Sequence, residues 1–190
     1  MRSMLRWSLS LIKILSLLGL AATAVPVGAA SDGLSSFTTN SRLLAIQNQE
    51  RTALGLTNLV WDPALAEAAR HYAARLAATD RWEHSPPDER TGQGENLWMG
   101  TRGAFAVDEM VDGWLAERSM FRAGIFPSVS RSGNWEDVGH YTQIIWQGDR
   151  RVGCAINSSA AYDYLVCRYA QPGNVMGEAV LRPRQLAMGK

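Results

Sequence analysis

Three histidines, two cysteines and two lysines are all that this 190-residue chain contains of those types. Two cysteines allow a single bridge. With lysine nearly absent and 19 bases set against 18 acids, the net charge of +1 leaves no electrostatic footprint for nucleic acid. No uninterrupted run of the ~18–20 apolar residues that a transmembrane helix needs is present. Repeats and low-complexity tracts are missing too. So are the G-x-S-x-G elbow, the H-E-x-x-H zinc helix and the G-x-x-x-x-G-K-[ST] phosphate loop. Gly92-Gln93-Gly94 is only a fragment of a dinucleotide fingerprint, with no strand before it. What is present is apolar: 46% hydrophobic residues with 19% charged exclude a wholly disordered chain. The length suits one domain of ~100–200 residues. Seven tryptophans are mostly accounted for by core packing.

Charge is unevenly placed. Residues 1–30 hold Arg2, Arg6 and Lys13 and no acid, so removing them leaves sixteen bases against eighteen acids. Met1–Lys13 is basic, Ile14–Val27 is apolar apart from Ser16 and Thr23, and Val27-Gly28-Ala29-Ala30 is small. This order describes a secretory signal peptide over residues 1–30, cleaved near Ala29 or Ala30. An uncleaved anchor is the rival reading, but lengthening the span would bury Lys13. Export implies an extracellular location, or the periplasm in a Gram-negative cell, with no stable membrane insertion after cleavage. In an oxidising compartment Cys154 and Cys167 are expected to form a disulfide rather than a metal site.

Residues 31–39 are small and polar and are expected to form a flexible tether. A helical pattern follows over residues 40–54. Asp62-Pro63 is a strong helix start, an N-cap acceptor followed by proline at the first helical position. On a helical wheel Leu65, Ala68, Ala69, Tyr72, Ala73 and Leu76 share one face, and His71 falls opposite, in solvent. A third helix is expected over residues 104–119, with Val107, Met110, Val111 and Trp114 as its apolar stripe. Glu117 lies only about 60° from Trp114, an awkward place for an unpartnered carboxylate. Residues 121–133 are expected to be a long loop. After it the period becomes two, predicting strands over 141–146, 151–156 and 162–169. Pairing Cys154 with Cys167 sets Ile156 opposite Leu165 and Asn157 opposite Tyr164. Pro172-Gly173 fits a type II turn after the last strand. Helices first and strands later point to an α+β fold.

The candidate chemistry rests on few residues. His84 precedes two prolines, His140 follows Gly139, and Glu95 follows Gly94. With Glu117 these make two imidazoles and two carboxylates, a set able to ligate Zn²⁺ and leave a water position open. Their spacing is wide, so only the tertiary fold brings them together. A polar network holding the elements in register is the competing explanation, and on spacing alone it is the favoured one.

Longer motifs carry a resemblance. Gln47-Asn48-Gln49-Glu50-Arg51 with Gly55-Leu56 is similar to H-N-x-x-R-x-x-x-G-L, and Leu59-Val60-Trp61-Asp62 with Leu65-Ala66 to L-x-W-x-x-x-L-A. Trp82-Glu83-His84-Ser85, Gly94-Glu95-Asn96 and Trp114-Leu115-Ala116-Glu117 add three shorter matches. Gly139-His140-Tyr141-Thr142-Gln143-Ile144-Ile145-Trp146 fills G-H-Y-T-Q-x-x-W. Cys167-Arg168-Tyr169, Pro172-Gly173-Asn174 and Gly177 fill C-x-Y-x-x-x-G-N-x-x-G. Together, over residues 40–178, they resemble the CAP superfamily (SCP/TAPS) of cysteine-rich secretory, antigen five and pathogenesis-related proteins.

The resemblance implies a three-layer α-β-α sandwich about a central antiparallel sheet, over residues 40–178, with residues 179–190 as a tail. It also implies a cleft in which His84, Glu95, Glu117 and His140 hold a divalent metal, usually zinc. Many such proteins bind lipids, sterols or extracellular proteins and catalyse nothing. A binding module is therefore the leading expectation, with Phe121, Ile125, Phe126 and Val129 as a candidate apolar wall. A structural or defence-type protein comes second. A zinc-dependent hydrolase, with Glu95 or Glu117 as general base, comes last. Gln47 stands where many relatives have His, and no cysteine-rich extension follows the domain, so channel blocking is not expected.

Overall fold

The computed structural model describes the backbone of residues 27–148 and 150–181, and the side chains from residue 38 within that range. The signal-peptide reading up to residue 26 and the tail from residue 182 lie outside the described residues. Eight elements follow in order: α1 (Val27–Ala53), β1 (Val60–Trp61), α2 (Pro63–Thr79), β2 (Gly94–Thr101), α3 (Val107–Ala116), α4 (Gly139–Ile145), β3 (Arg151–Ser158) and β4 (Tyr162–Tyr169). Short 3₁₀ turns cover Pro87–Arg90, Glu117–Ser119 and Trp135–Val138.

The four strands form one sheet in the order β1-β3-β4-β2. Its three long strands are antiparallel, and two-residue β1 adds to β3 in parallel. Side chains alternate across β3 and β4, and each face of the sheet has its own core. Val152, Cys154, Leu165, Cys167 and Tyr169 pack with α1, α3 and α4 residues such as Leu43, Val111, Trp114 and Ile144. On the other face Leu97, Tyr164 and Val166 meet Ala69, Tyr72, Ala73 and Leu76 of α2. Two cores on opposite faces of one sheet make the α+β fold a three-layer α-β-α sandwich, as expected. The hairpin register is also as expected, with Cys154↔Cys167, Ile156↔Leu165 and Asn157↔Tyr164, and the two cysteines are bonded.

Helix α2 starts where its caps require. The Asp62 side chain accepts the N–H groups of Ala64 and Leu65 at 2.8 and 3.2 Å, and Pro63 takes the first helical position. His71 is exposed and faces Glu67 at 2.9 Å.

Other expectations are corrected. Helix α1 begins at Val27, so helical backbone replaces the tether expected over residues 31–39; once the amphipathic part is helical, propagation adds a hydrogen bond for each residue fixed. Residues 141–146 are not a strand. Residues 141–145 belong to α4 and Trp146 caps it; Tyr141 to Ile145 are all buried, so no polar face reveals the helical period. Arg51 closes this helix by donating to Ile144 O at 2.7 Å and Trp146 O at 2.9 Å. Burial lowers its guanidinium to about 10, which leaves it charged at neutral pH. Strand β2 follows a turn at Thr91-Gly92, in a stretch where no strand was expected, because Gly94 to Leu97 are buried consecutively rather than alternately and show no period of two. The fold also reaches past residue 178: Val180 and Leu181 are core residues, and Ala179 bridges to Ile125.

The expected apolar wall is dispersed. Phe126 and Val129 are core residues, Phe126 against Trp135 and Trp146. Phe121 packs on Tyr141, and Ile125 is 59% exposed. Core packing claims the aromatic pair, so the four residues do not build one ligand wall.

Candidate functional site

The four singled-out residues come from four separate segments of the chain and form two pairs. His84 lies after α2, just before the Pro87–Arg90 turn, and its Nδ1 is 2.8 Å from Oε1 of Glu95, the second residue of β2. His140, in the first turn of α4, has Nδ1 2.6 Å from Oε1 of Glu117, at the C-terminal end of α3. The helix of residues 139–145 makes the second pair possible. It turns the Tyr141 N–H, one of the unpaired donors at a helix start, onto Glu117 Oε2 at 3.0 Å. Trp114 stacks on the His140 ring at 5.8 Å and anchors its own indole N–H on Leu97 O.

The carboxylates lie deeper than the imidazoles. The Glu95 side chain is 1% exposed against 53% for His84. Both its oxygens are engaged: Oε1 accepts the Ser85 N–H as well as His84, and Oε2 accepts the Ser85 hydroxyl. Burial pushes the Glu95 carboxyl up, but the His84 hydrogen bond, the Arg168 charge and the two Ser85 bonds outweigh it, so its pKa lies below the ordinary glutamate value. Glu95 therefore stabilises the fold fully above the ordinary value near 4.5, and that contribution is lost as pH falls through its lower folded value. Acid unfolding followed by circular dichroism should accordingly be less steep below pH 4.5 in Glu95→Gln than in the wild type. Equal slopes would show that Glu95 is not held ionised by the fold.

His84, Glu95 and His140 line one cleft of about 440 Å³, with Arg90, Asn96, Glu136, Gln143 and Asn174 among its other walls. Glu117 stands behind the His140 ring rather than in the wall. With each Nδ1 on a carboxylate, each imidazole Nε2 has no hydrogen-bond partner among the described residues. Among those residues no group of three or more His, Cys, Asp or Glu side chains is arranged to share one metal ion. The geometry thus offers two nitrogen donors steadied by two carboxylates, the arrangement in which a histidine's second ring nitrogen is fixed by an outer acceptor. No serine, threonine, cysteine or lysine lines the cleft.

Sequence reasoning missed the cleft floor. A Cβ on Gly94 would lie 2.3 Å from Gln143 Oε1 and one on Gly173 2.9 Å, so both glycines make room for that amide, which accepts the Gly173 N–H at 2.7 Å. The positive φ of this turn falls on Asn174 (58°), not on Gly173 as a type II turn requires. Asn174 donates to Gly139 O and accepts from Thr142, tying the turn to α4. Glu136 reaches the rim from a sequence stretch without any distinguishing pattern.

The family model of the cysteine-rich secretory proteins (CAP) matches residues 44–169. The chain belongs to the CAP family. The CAP domain is 33% identical over 132 residues to a pathogenesis-related protein of PR-1 type from Sambucus nigra, covering 69% of this chain and 75% of that one. It is 34% identical over 135 residues to the cysteine-rich venom protein VAR8 of Varanus acanthurus, covering 66% and 62%. The fold is shared with NaASP2, solved with Zn²⁺, at a TM-score of 0.64 and 23% identity over 75% of this chain and 84% of that one. Among the described residues of the CAP domain, no helix is long and apolar enough to cross a membrane.

Proposed function

We propose that this CAP protein is an exported binding module, not an enzyme, that engages an extracellular protein through a divalent cation held at Nε2 of His84 and His140. The observation that carries this is the occupation of both Nδ1 atoms by inward carboxylates, which leaves two imidazole nitrogens for one cleft. The donor set fits zinc, which takes imidazole nitrogen readily and accepts further ligands from water or a partner. Glu95 and Glu117 then orient the ligands and raise their basicity; they are not ligands themselves. When bound, the ion supplies positive charge and open coordination positions. The Zn²⁺ in the crystal structure of the fold relative NaASP2 is in keeping with this.

The polar lining favours a polar partner over a lipid or sterol, which needs apolar walls. Hydrolysis has less support, because both oxygens of Glu95 and both of Glu117, the two candidate general bases, are already engaged. Isothermal titration with zinc tests the site. One equivalent should bind the wild type, and the His84→Ala/His140→Ala variant should bind at least about 100-fold more weakly, since two ligands are gone. Unchanged zinc affinity in a folded double variant would sink the reading.

A further inference from the structure

A second pocket, of about 240 Å³, opens on the α2 side of the sheet, walled by Ala68, His71, Tyr72, Arg75, Glu89 and Arg168. We infer that it is a binding site for a small carboxylate, held by the guanidinium groups of Arg168 and Arg75.

Arg168 is the reason. It is 3% exposed, yet its donors are poorly used. Its Nε lies 3.0 Å from Glu95 Oε2, a close charge contact, but without hydrogen-bond alignment, and the buried Nε–H has no acceptor. One terminal nitrogen reaches Gln93 Oε1 at a long 3.4 Å, and the other has no hydrogen-bond partner among the described residues. A buried guanidinium carries five donors, and leaving them unmet is costly.

The charges around it do not balance. Arg75, Arg90 and Arg168 cluster against Glu89 and Glu95, leaving one positive charge. Both Glu89 oxygens are taken by Arg75, at 3.0 and 2.6 Å, and Glu95 is committed to His84 and Ser85. The Arg75 and Arg168 guanidinium carbons approach one ring, that of Tyr72, at 4.7 and 5.4 Å from its centroid. Burial lowers the Arg168 pKa against the pull of Glu95, and the nearby Arg90 charge adds to the lowering. One added negative charge corrects the imbalance. A carboxylate brings that charge with two coplanar oxygens that match a guanidinium fork. The Tyr72 ring and Ala68 offer apolar wall to a short alkyl tail.

Acetate is the probe, titrated into metal-free protein at constant ionic strength with chloride as the balancing anion. Arginine Nε–H and backbone amide signals are followed by ¹H–¹⁵N NMR. Saturable shifts at Arg168, Arg75 and Tyr72 are expected. Arg75→Gln, a change at a half-exposed side chain that spares the fold, should weaken binding about tenfold or more, as should Arg168→Lys, which keeps the charge and loses the fork. Acetate shifts no larger than those of chloride overturn the proposal, as does wild-type affinity in both variants. Tighter binding of inorganic phosphate than of acetate overturns the carboxylate assignment. Because the probe is read without metal, its failure leaves the zinc site standing, and loss of zinc binding leaves this pocket standing.

Discussion

Gly153→Ala should destabilise the domain by about 3 kcal/mol or more, the upper end of overpacking in a close-packed interior. The added Cβ would sit 2.0 Å from the Ala66 nitrogen and 2.6 Å from both Asp62 O and the Leu65 carbonyl carbon. All three are backbone atoms at the start of α2, so no rotamer change relieves the clash. The helix must lift from β3, which disturbs the Asp62 cap and the bond from Asp62 N–H to Val152 O at 2.8 Å. For a domain of this size the loss corresponds to roughly 6–12 °C in the melting midpoint. A midpoint within about 2 °C of the wild type would show that α2 does not rest on the sheet at this glycine.

Removing the Cys154–Cys167 bridge by a double alanine substitution is the second large effect, about 3 kcal/mol in the chain-entropy treatment for a separation of 13 residues. Both cysteines are buried in the core beneath α1, each sulfur within 3.9 Å of the Gln47 amide nitrogen. The cost therefore includes lost packing as well as a freer unfolded chain. Reductant should lower the wild-type midpoint, once thiol titration shows the bridge open, and leave the double alanine variant unchanged. An unmoved wild-type midpoint would contradict the role given to the bridge. Dependence on the bridge also bears on export, since disulfides persist in oxidising compartments.

The parts of the fold legible in the sequence are those with one buried face and a local marker. Helix α2 announces itself through Asp62-Pro63 and a single apolar stripe. The β3–β4 hairpin is legible because its side chains alternate between two different cores and the cysteines fix the register. Helix α4 and strand β2 are opaque for a shared reason. Tyr141–Ile145 and Gly94–Leu97 are buried residue after residue, and a segment enclosed on all sides shows no period. Phe121, Ile125 and Phe126 misled because an aromatic cluster reads the same whether it packs a core or lines a cavity. Within the site, the residue types and their motifs were legible and their division of labour was not. That Glu95 and Glu117 each hold an imidazole Nδ1 depends on Ser85, Arg168 and the Tyr141 N–H, contacts spanning up to 73 positions of sequence.

That division of labour is the central claim, and ring-nitrogen NMR of the two cleft histidines, without and with one equivalent of zinc, tests it most directly. The result expected is the Nδ1–H tautomer for both His84 and His140 in the metal-free protein, with zinc perturbing Nε2 of each and leaving Nδ1 bonded to its carboxylate. An Nε2–H tautomer in the metal-free protein, or zinc acting at Nδ1, would contradict it.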